Sequence, residues 1–498
     1  MKKIVLLLLC LCLAIVPLTA CGGGSDTEHG DPNANSTVPE GSLTLTIEKN
    51  SSGNQIYGVG VELDPHFLHG NVGRTGVSNG VSWTCQEEDW NNIFLPRMAE
   101  MNLKRIRVML LHPWFVSSEQ DYRVKNYTWD SLEMRSLYQT LDAAQANGMD
   151  VCLVLWGASD WLKDGSQWVD IPKDDEAFCV LFADAVDYLI NTKGYTCINE
   201  ITPFNEPNAL YGALGTPAGV NAYIALCERL DELFKERGLR EKVKFNLSDD
   251  ARSSSWLTAT LENLQGVYDV VNSHTYDFTA ADTNEEIINS HHYKLSNYTD
   301  SVKEYGATHI FGEFGTGSTS GSHSAGDKFE PSRGLQVARI ALNMLQSGSC
   351  GFSYWVLFSQ YYSSAASESI MDMGLWGFAD EGYNCRPVYY AYSLLTRYAQ
   401  KGMEIYLVPT VDPNLVAVAL RSGDDWTYLV VNDSETESKE VSFLNHTKFP
   451  GAMKRYVYDQ NNVPTDNKVI ASNGTVTPDG RVLTDTLAPL TFTVYTTL

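Results

Sequence analysis

Two glutamates, Glu206 and Glu313, each stand at the end of a short apolar segment of the chain. Residues 203–206 are Pro-Phe-Asn-Glu, and residues 311–313 are Phe-Gly-Glu. A carboxylate in such a place costs free energy unless it is hydrogen-bonded or paired. If the fold brings the two together, one is expected to stay protonated, because two negative charges at close range are unfavourable. Such a pair can donate a proton and attack an electrophilic carbon in one site.

The elements that must position these glutamates are short β-rich segments that alternate with longer segments of helical period. Eight strands are predicted, at Tyr57–Glu62, Lys104–Leu111, Asp150–Trp156, Cys197–Phe204, Val243–Leu247, Val270–His274, His309–Glu313 and Cys350–Leu357. Eight consecutive βα units predict an α/β fold, the (β/α)8 TIM barrel, because its buried parallel strands are continuous apolar runs. A doubly wound open sheet is the alternative, but no G-x-G-x-x-G motif follows the first strand.

After Gly402 the pattern changes to short alternating segments separated by turn residues. It predicts a small C-terminal antiparallel β-sandwich over residues 403–498. The predicted strands are Ile405–Val408, Leu415–Leu420, Thr427–Val431, Val441–Leu444, Arg455–Tyr458 and Phe492–Tyr495. The catalytic barrel is expected to span residues 42–402, with residues 42–49 adding an edge strand to the sandwich.

Functional residues of a TIM barrel come from the C-terminal ends of its strands. There, Asn-Glu-Pro at 205–207 follows the fourth predicted strand, and Gly-Glu-Phe-Gly at 312–315 closes the seventh. These motifs resemble the clan A glycoside hydrolases, and family 5, the cellulase family, most of all. The resemblance implies that Glu206 is the general acid/base and Glu313 the nucleophile of a retaining reaction on β-glycosidic bonds. Families 30 and 39 are also similar, because they combine these glutamates with a β-sandwich that includes an N-terminal strand.

The same resemblance implies a set of substrate-binding residues at the strand ends. They are Asn205, Arg107, His274, Tyr276, Trp355 and Trp156. Trp156 departs from family 5, which usually has a histidine at the end of the third strand. Arg107 and Tyr276 are expected to keep Glu313 charged, and Asn205 to face a sugar 2-hydroxyl.

Each of these residues also has a purely structural interpretation. Arg107 and His274 can be satisfied residues at the rim of the core, and Trp355 can serve only in packing. Glu62, which ends the first predicted strand, is either a sugar ligand or a salt-bridge partner. For the whole chain, the alternative to an enzyme is a non-catalytic glycan-binding lipoprotein on a barrel scaffold, although the presence of both glutamates disfavours it.

The N-terminus has the pattern of a secretory signal. Lys2 and Lys3 precede an apolar stretch that ends in Leu-Thr-Ala-Cys at residues 18–21, which resembles a bacterial lipobox. We therefore expect residues 1–20 to be a lipoprotein signal peptide, Cys21 to carry the lipid, and residues 21–41 to be a flexible tether. The mature protein is expected at the bacterial cell envelope, outside the cytoplasm.

Composition excludes several other classes of protein. The net charge is −25, which argues against nucleic acid as a partner and against any membrane contact beyond the lipid anchor. Seven cysteines follow Cys21, mostly in apolar segments without metal-ligand spacing, so they are expected to be core thiols. No cofactor and no metal is expected, a carbohydrate is the expected partner, and the sequence leaves the oligomeric state open.

Overall fold

The structure is a computed structural model, and every structural statement below concerns the residues that it describes. These are residues 36–65, 77–78, 81–82, 85–163, 172–208, 217–251, 254–279, 295, 298–317, 328–361 and 370–498. Cys21, the proposed lipid attachment site, and the predicted signal peptide lie outside them. Among the described residues, no helix is both long and apolar enough to cross a membrane.

Eight parallel strands close into a barrel, which confirms the predicted (β/α)8 architecture. In chain order they are Gly58–Leu63, Arg105–Leu111, Asp150–Gly157, Ile198–Thr202, Lys244–Asp250, Val270–Thr279, His309–Gly317 and Gly351–Tyr354. The fifth, sixth and seventh strands extend further toward their C-terminal ends than the sequence predicted, whereas the eighth is shorter. These longer strands carry polar residues beyond their apolar cores, so hydrophobic pattern alone underestimates them.

Helices surround the barrel, and local capping residues fix where several of them begin and end. They include Leu95–Glu100, Glu119–Arg123, Leu132–Ala146, Asp175–Asp187, Pro217–Glu236, Ser254–Asn263, residues 298–305, Ser332–Ser347 and Pro387–Tyr398. The Ser131 hydroxyl accepts a hydrogen bond from the Met134 N–H, and the Asp174 carboxylate accepts one from the Ala177 N–H. Both are N-cap bonds that satisfy an otherwise unpaired backbone donor in the first turn.

The C-terminal residues form two facing sheets. One contains, in spatial order, Glu404–Val408, Leu415–Ser422, Asp425–Asn432, Thr491–Thr496, Met453–Asp459 and Thr475–Val476. The other contains Leu43–Thr46, Lys439–Leu444 and Val482–Leu487, and its first strand runs parallel to the second. The sequence did not predict Val482–Leu487, because the polar residues 484–486 interrupt its apolar pattern.

The larger sheet is buried on both faces. Leu415, Ala417 and Ala419 lie in the sandwich core, whereas the alternate residues Val416 and Val418 belong to the barrel core. This follows from the alternation of side chains along a strand. The larger sheet therefore shares one apolar core with the barrel and a second with the smaller sheet.

All seven cysteines after Cys21 are free in the structure, as the sequence predicted for core thiols. Six of them are buried and Cys385 is half-buried. Burial raises the pKa of the Cys152 thiol to about 12, so this residue remains an uncharged thiol at neutral pH.

Candidate active site

The two predicted glutamates meet at the C-terminal end of the barrel. Glu313 lies in the seventh strand, directly paired with His274 of the sixth, whereas Glu206 follows the fourth strand. One carboxylate oxygen of Glu206, one of Glu313 and one ring nitrogen of His274 all lie within 4.8 Å of one another. The Glu313 side chain is only 4% exposed and that of Glu206 is 23% exposed. Glu206 is therefore the more accessible of the two carboxylates.

Arg107, from the second strand, holds one side of the site. Its Nη1 donates to Glu313 Oε1 at 2.5 Å and to Glu62 Oε2 at 2.7 Å. Its Nη2 donates to Asn205 Oδ1 at 2.8 Å and to Asp249 Oδ2 at 2.9 Å. The guanidinium is 1% exposed, so these charge-assisted bonds form away from solvent, where they are strong and orienting. Since the carbonyl oxygen of Asn205 faces the guanidinium, its NH2 group points away from Arg107.

His274 connects the two glutamates to a third carboxylate. Its Nδ1 is 2.8 Å from Glu206 Oε1 and 3.5 Å from Glu313 Oε2, and its Nε2 is 3.1 Å from Asp249 Oδ1. Burial alone would lower the pKa of His274, but the negative charges of Asp249 and Glu313 raise it well above its ordinary value. These negative charges favour the protonated ring, in which both nitrogens are donors.

Tyr276 is the second direct donor to Glu313. Its hydroxyl donates to Glu313 Oε2 at 2.8 Å, while Arg107 donates to the other oxygen. Burial raises the pKa of Tyr276 well above its usual range, and the charge of Glu313 raises it further. The phenol thus keeps its proton, and each oxygen of Glu313 has a fixed donor.

The two predicted tryptophans differ in their relation to this cluster. Trp355 is buried and packs with Met373, and its ring meets that of Tyr276 edge-on at 5.6 Å between centroids. Trp355 is thus a direct neighbour of the site. Trp156 is half-buried against the barrel core, and among the described residues no hydrogen bond or ring contact joins it to Arg107, Glu206, His274 or Glu313.

Close packing explains both glycines of the Gly-Glu-Phe-Gly motif. A Cβ on Gly312 would lie 2.5 Å from Asn272 Oδ1 and 3.3 Å from His274 Nε2. A Cβ on Gly315 would lie 2.5 Å from the Met373 methyl group. A side chain at position 312 would therefore displace the buried Asn272, whereas one at position 315 would require the flexible end of Met373 to move.

Asp249 is a site residue that the sequence did not predict. The fifth strand was expected to end at Leu247, three residues before its observed end at Asp250, so the Asp249 carboxylate was not recognised as belonging to a strand end. Ser248 and Asp249 have φ values of 82° and 53°, and Glu206 has a φ of 43°. These left-handed conformations are unfavourable for residues other than glycine and are concentrated at functional sites. The sequence feature that could have identified Asp249 is its position in a pair of consecutive aspartates, Asp249 and Asp250, after an apolar strand.

Glu62 is also part of the site, as a buried partner of Arg107 at 2.7 Å. Burial raises the pKa of Glu62 to about 8, although Arg107 opposes the shift.

The three groups Glu206, His274 and Glu313 also have the spacing of metal ligands. Hydrogen bonds already join these groups, because Arg107 and Tyr276 donate to the two oxygens of Glu313 and His274 Nδ1 lies 2.8 Å from Glu206 Oε1.

The sequence matches no protein-family model, and none of the curated proteins matches it. Solved structures do match. The catalytic domain of a family 30 xylanase C from Talaromyces cellulolyticus superposes with a TM-score of 0.65 at 13% identity, covering 91% of this chain and 99% of that one. An α-L-arabinofuranosidase from Thermotoga maritima gives 0.61 at 13% identity, with coverages of 91% and 99%. A family 39 enzyme from Xanthomonas axonopodis pv. citri gives 0.59 at 14% identity, with coverages of 92% and 99%.

This chain shares with these glycoside hydrolases the fold of a (β/α)8 barrel with an appended β-sandwich. The structural similarity to families 30 and 39 confirms the predicted architecture. It also places the two-domain arrangement with those families, whereas the sequence motifs most resemble family 5.

Proposed function

We propose that this protein is a retaining glycoside hydrolase that cleaves β-glycosidic bonds of a polysaccharide or oligosaccharide by double displacement. The observation that carries the proposal is the pairing of Glu206 and Glu313, with oxygens within 4.8 Å of each other. Retaining enzymes separate their carboxyl groups by about 5–5.5 Å, whereas inverting enzymes leave roughly 6.5–9.5 Å for a water molecule. The spacing here supports direct attack by one carboxylate.

Glu313 has the environment of the nucleophile. Arg107 and Tyr276 each hold one of its oxygens, which stabilises the ionised form and fixes its orientation. In the first step a Glu313 oxygen bonds to the anomeric carbon as the glycosidic C–O bond breaks. Glu206 gives its proton to the leaving oxygen.

Glu206 then serves as the base. It removes a proton from water, whose oxygen attacks the anomeric carbon and breaks the bond to Glu313, so both glutamates return to their starting states. Its greater exposure suits a residue that exchanges protons with a leaving group and with water.

Two further residues are proposed to bind the sugar. The NH2 group of Asn205, turned away from Arg107, donates to the 2-hydroxyl, an interaction that strengthens in the transition state. Trp355 provides an apolar surface for the C–H face of the ring. The xylanase and the arabinofuranosidase of similar fold support a carbohydrate as the substrate class.

Hydrolysis of a panel of aryl β-glycosides and polysaccharides by the purified protein tests the proposal. Proton NMR of the first-formed anomer then decides the stereochemistry, and a retained configuration is expected. An inverted product would contradict double displacement. Tight glycan binding without turnover of any substrate would favour the alternative, a non-catalytic glycan-binding lipoprotein.

We also propose that the protein is a lipoprotein of the bacterial cell envelope, anchored through Cys21 and facing away from the cytoplasm. The motif Leu-Thr-Ala-Cys at residues 18–21 motivates this. Cys21→Ala or globomycin should block processing and release or mislocalise the protein. Cys12→Ala is a matched control, because it removes a nearby cysteine outside the motif. Unchanged membrane association of the Cys21→Ala variant would remove the argument.

A further inference from the structure

Asp249 is the shared acceptor of three groups in the candidate active site. Its Oδ2 accepts from the backbone N–H of Glu206 and from Arg107 Nη2, both at 2.9 Å, and its Oδ1 accepts from His274 Nε2 at 3.1 Å. The side chain is fully buried. A buried carboxylate is stable only with such compensation, and each of its donors belongs to the site itself.

We propose that Asp249 is a positioning residue for the acid/base step, acting on Glu206 through the Glu206 backbone and through His274. This inference rests on the proposed glycosidase function and deepens it, since no role for Asp249 follows from the pair of glutamates alone.

The first route is the backbone of Glu206. This residue adopts a φ of 43°, a left-handed conformation that is unfavourable for a residue with a Cβ. A strained conformation persists only where surrounding contacts over-determine it. The hydrogen bond from the Glu206 N–H to Asp249 is such a contact, and it fixes the point from which the Glu206 carboxyl projects.

The second route is His274. Because Asp249 holds Nε2, the opposite nitrogen, Nδ1, is turned toward Glu206 Oε1 at 2.8 Å. Burial opposes the charge of the ring, and Asp249 is the largest influence that raises the pKa of His274. Asp249 therefore fixes both the orientation and the charge of the group that contacts the acid/base.

Asp249 can itself remain ionised in this role. Burial acts against its charge, but Arg107 and His274 outweigh burial and hold the pKa of Asp249 below its usual range. Replacement by asparagine keeps the size of the side chain and removes this charge. It leaves Glu313 with its own donors, Arg107 and Tyr276.

The chemistry provides a selective test. Protonation of the leaving oxygen by Glu206 matters for poor leaving groups, such as phenolate or a second sugar, and matters little for dinitrophenolate. A misplaced Glu206 should therefore reduce kcat/KM unequally across leaving groups. A general loss of folded structure would reduce it equally.

The experiment measures kcat/KM of Asp249→Asn and the wild type for a series of aryl glycosides that share one sugar. General acid catalysis contributes about 10²–10⁴-fold, so we expect a loss of about 100-fold or more for the poorest leaving group and only a few-fold for dinitrophenolate. An equal loss for all leaving groups would overturn the inference.

Glu200→Gln is the matched control. Glu200 is another buried carboxylate, which binds Arg105 through both oxygens one layer nearer the N-terminal ends of the strands. Its loss perturbs the barrel without touching Glu206, so its effect should be the same for every leaving group.

The remaining outcomes distinguish failure of this inference from failure of the proposed function. If Asp249→Asn does not fold, His274→Gln must show the same dependence on the leaving group, and a uniform loss there would contradict the inference. A wild-type protein that hydrolyses none of the glycosides would contradict the proposed function itself and this inference with it. An active wild type with a uniformly impaired Asp249→Asn variant would contradict the inference alone.

Discussion

The Glu62 carboxyl lies 2.7 Å from the Arg107 guanidinium, and both side chains are withdrawn from solvent. Burial raises the pKa of Glu62 to about 8 despite the opposing effect of Arg107, and the charge of Glu313 adds to the rise. At neutral pH these influences favour the protonated form of Glu62, which makes it a weaker counter-ion of Arg107 than Glu313 or Asp249.

Glu62→Gln should stabilise the protein increasingly as pH rises from about 4.5 to about 8. In this window the unfolded chain has released the proton that folded Glu62 still holds, so wild-type stability falls with pH by up to about 1.4 kcal/mol per unit from this group. Thermal unfolding of both proteins at pH 5 and pH 7.5 measures the difference. Glu48→Gln, at an exposed position, is the control. If the stability difference between Glu62→Gln and the wild type were the same at pH 5 and pH 7.5, Glu62 would be ionised in the folded protein at both pH values.

Loss of His112 should make the protein less sensitive to acid. Burial lowers the pKa of His112 to about 3, and neither ring nitrogen has a hydrogen-bond partner among the described residues. The unfolded chain binds a proton below pH 6.5 that the folded chain does not, so stability falls between pH 6.5 and pH 3 by up to about 1.4 kcal/mol per unit. His112→Leu should remove this contribution, as measured by urea unfolding at pH 4.5 and pH 6.5. If stability fell between pH 6.5 and pH 4.5 by the same amount in His112→Leu as in the wild type, the prediction would be contradicted.

Alanine variants of the two glutamates should fail differently. Glu313→Ala should lose turnover of every substrate, because no covalent intermediate can form, and azide should restore it with a glycosyl azide of inverted configuration. Glu206→Ala should still form the intermediate from a dinitrophenyl glycoside, which needs no proton, and azide should then give a retained product.

Proton NMR of the azide products distinguishes the two variants. The same configuration from both would contradict the assignment of Glu313 as nucleophile and Glu206 as acid/base. Activity of wild type on the same dinitrophenyl glycoside is the reference.

Shortening a side chain at the interface between barrel and sandwich should lower the stability of the protein and leave its catalytic activity unchanged. Tyr458 is buried, and its hydroxyl donates to the Pro331 carbonyl at 2.5 Å, at the start of the barrel helix Ser332–Ser347. Tyr458→Ala should lower stability by about 3–5 kcal/mol, as for other buried aromatic residues. Because barrel and sandwich share a core, the loss should appear as a lower Tm of a single calorimetric transition.

Activity of Tyr458→Ala at 25 °C, per folded molecule, should equal that of the wild type. Tyr458→Phe is its matched control, because it removes only the hydroxyl and should cost about 1 kcal/mol. A fall in kcat with unchanged Tm would show that the sandwich takes part in the chemistry.

The sequence alone determined the barrel, the sandwich and the two principal glutamates. Strand runs, helical spacing and the change of pattern after Gly402 are local features, and local features decide which element forms. Glu206 and Glu313 were recognisable because each follows an apolar strand, and a barrel gathers strand ends on one rim. The strand Val482–Leu487 was not predicted, because the polar residues 484–486 interrupt its apolar pattern.

Only the tertiary structure decided which residues of the site bond to one another. Arg107 and Asp249 are 142 residues apart in the chain, and no spacing rule connects them. The left-handed backbone of Glu206 is likewise held by a hydrogen bond that its N–H donates to Asp249, a residue 43 positions later in the chain. The raised pKa values of Glu62 and His274 follow from burial combined with neighbouring charges, and both influences exist only once the barrel has closed.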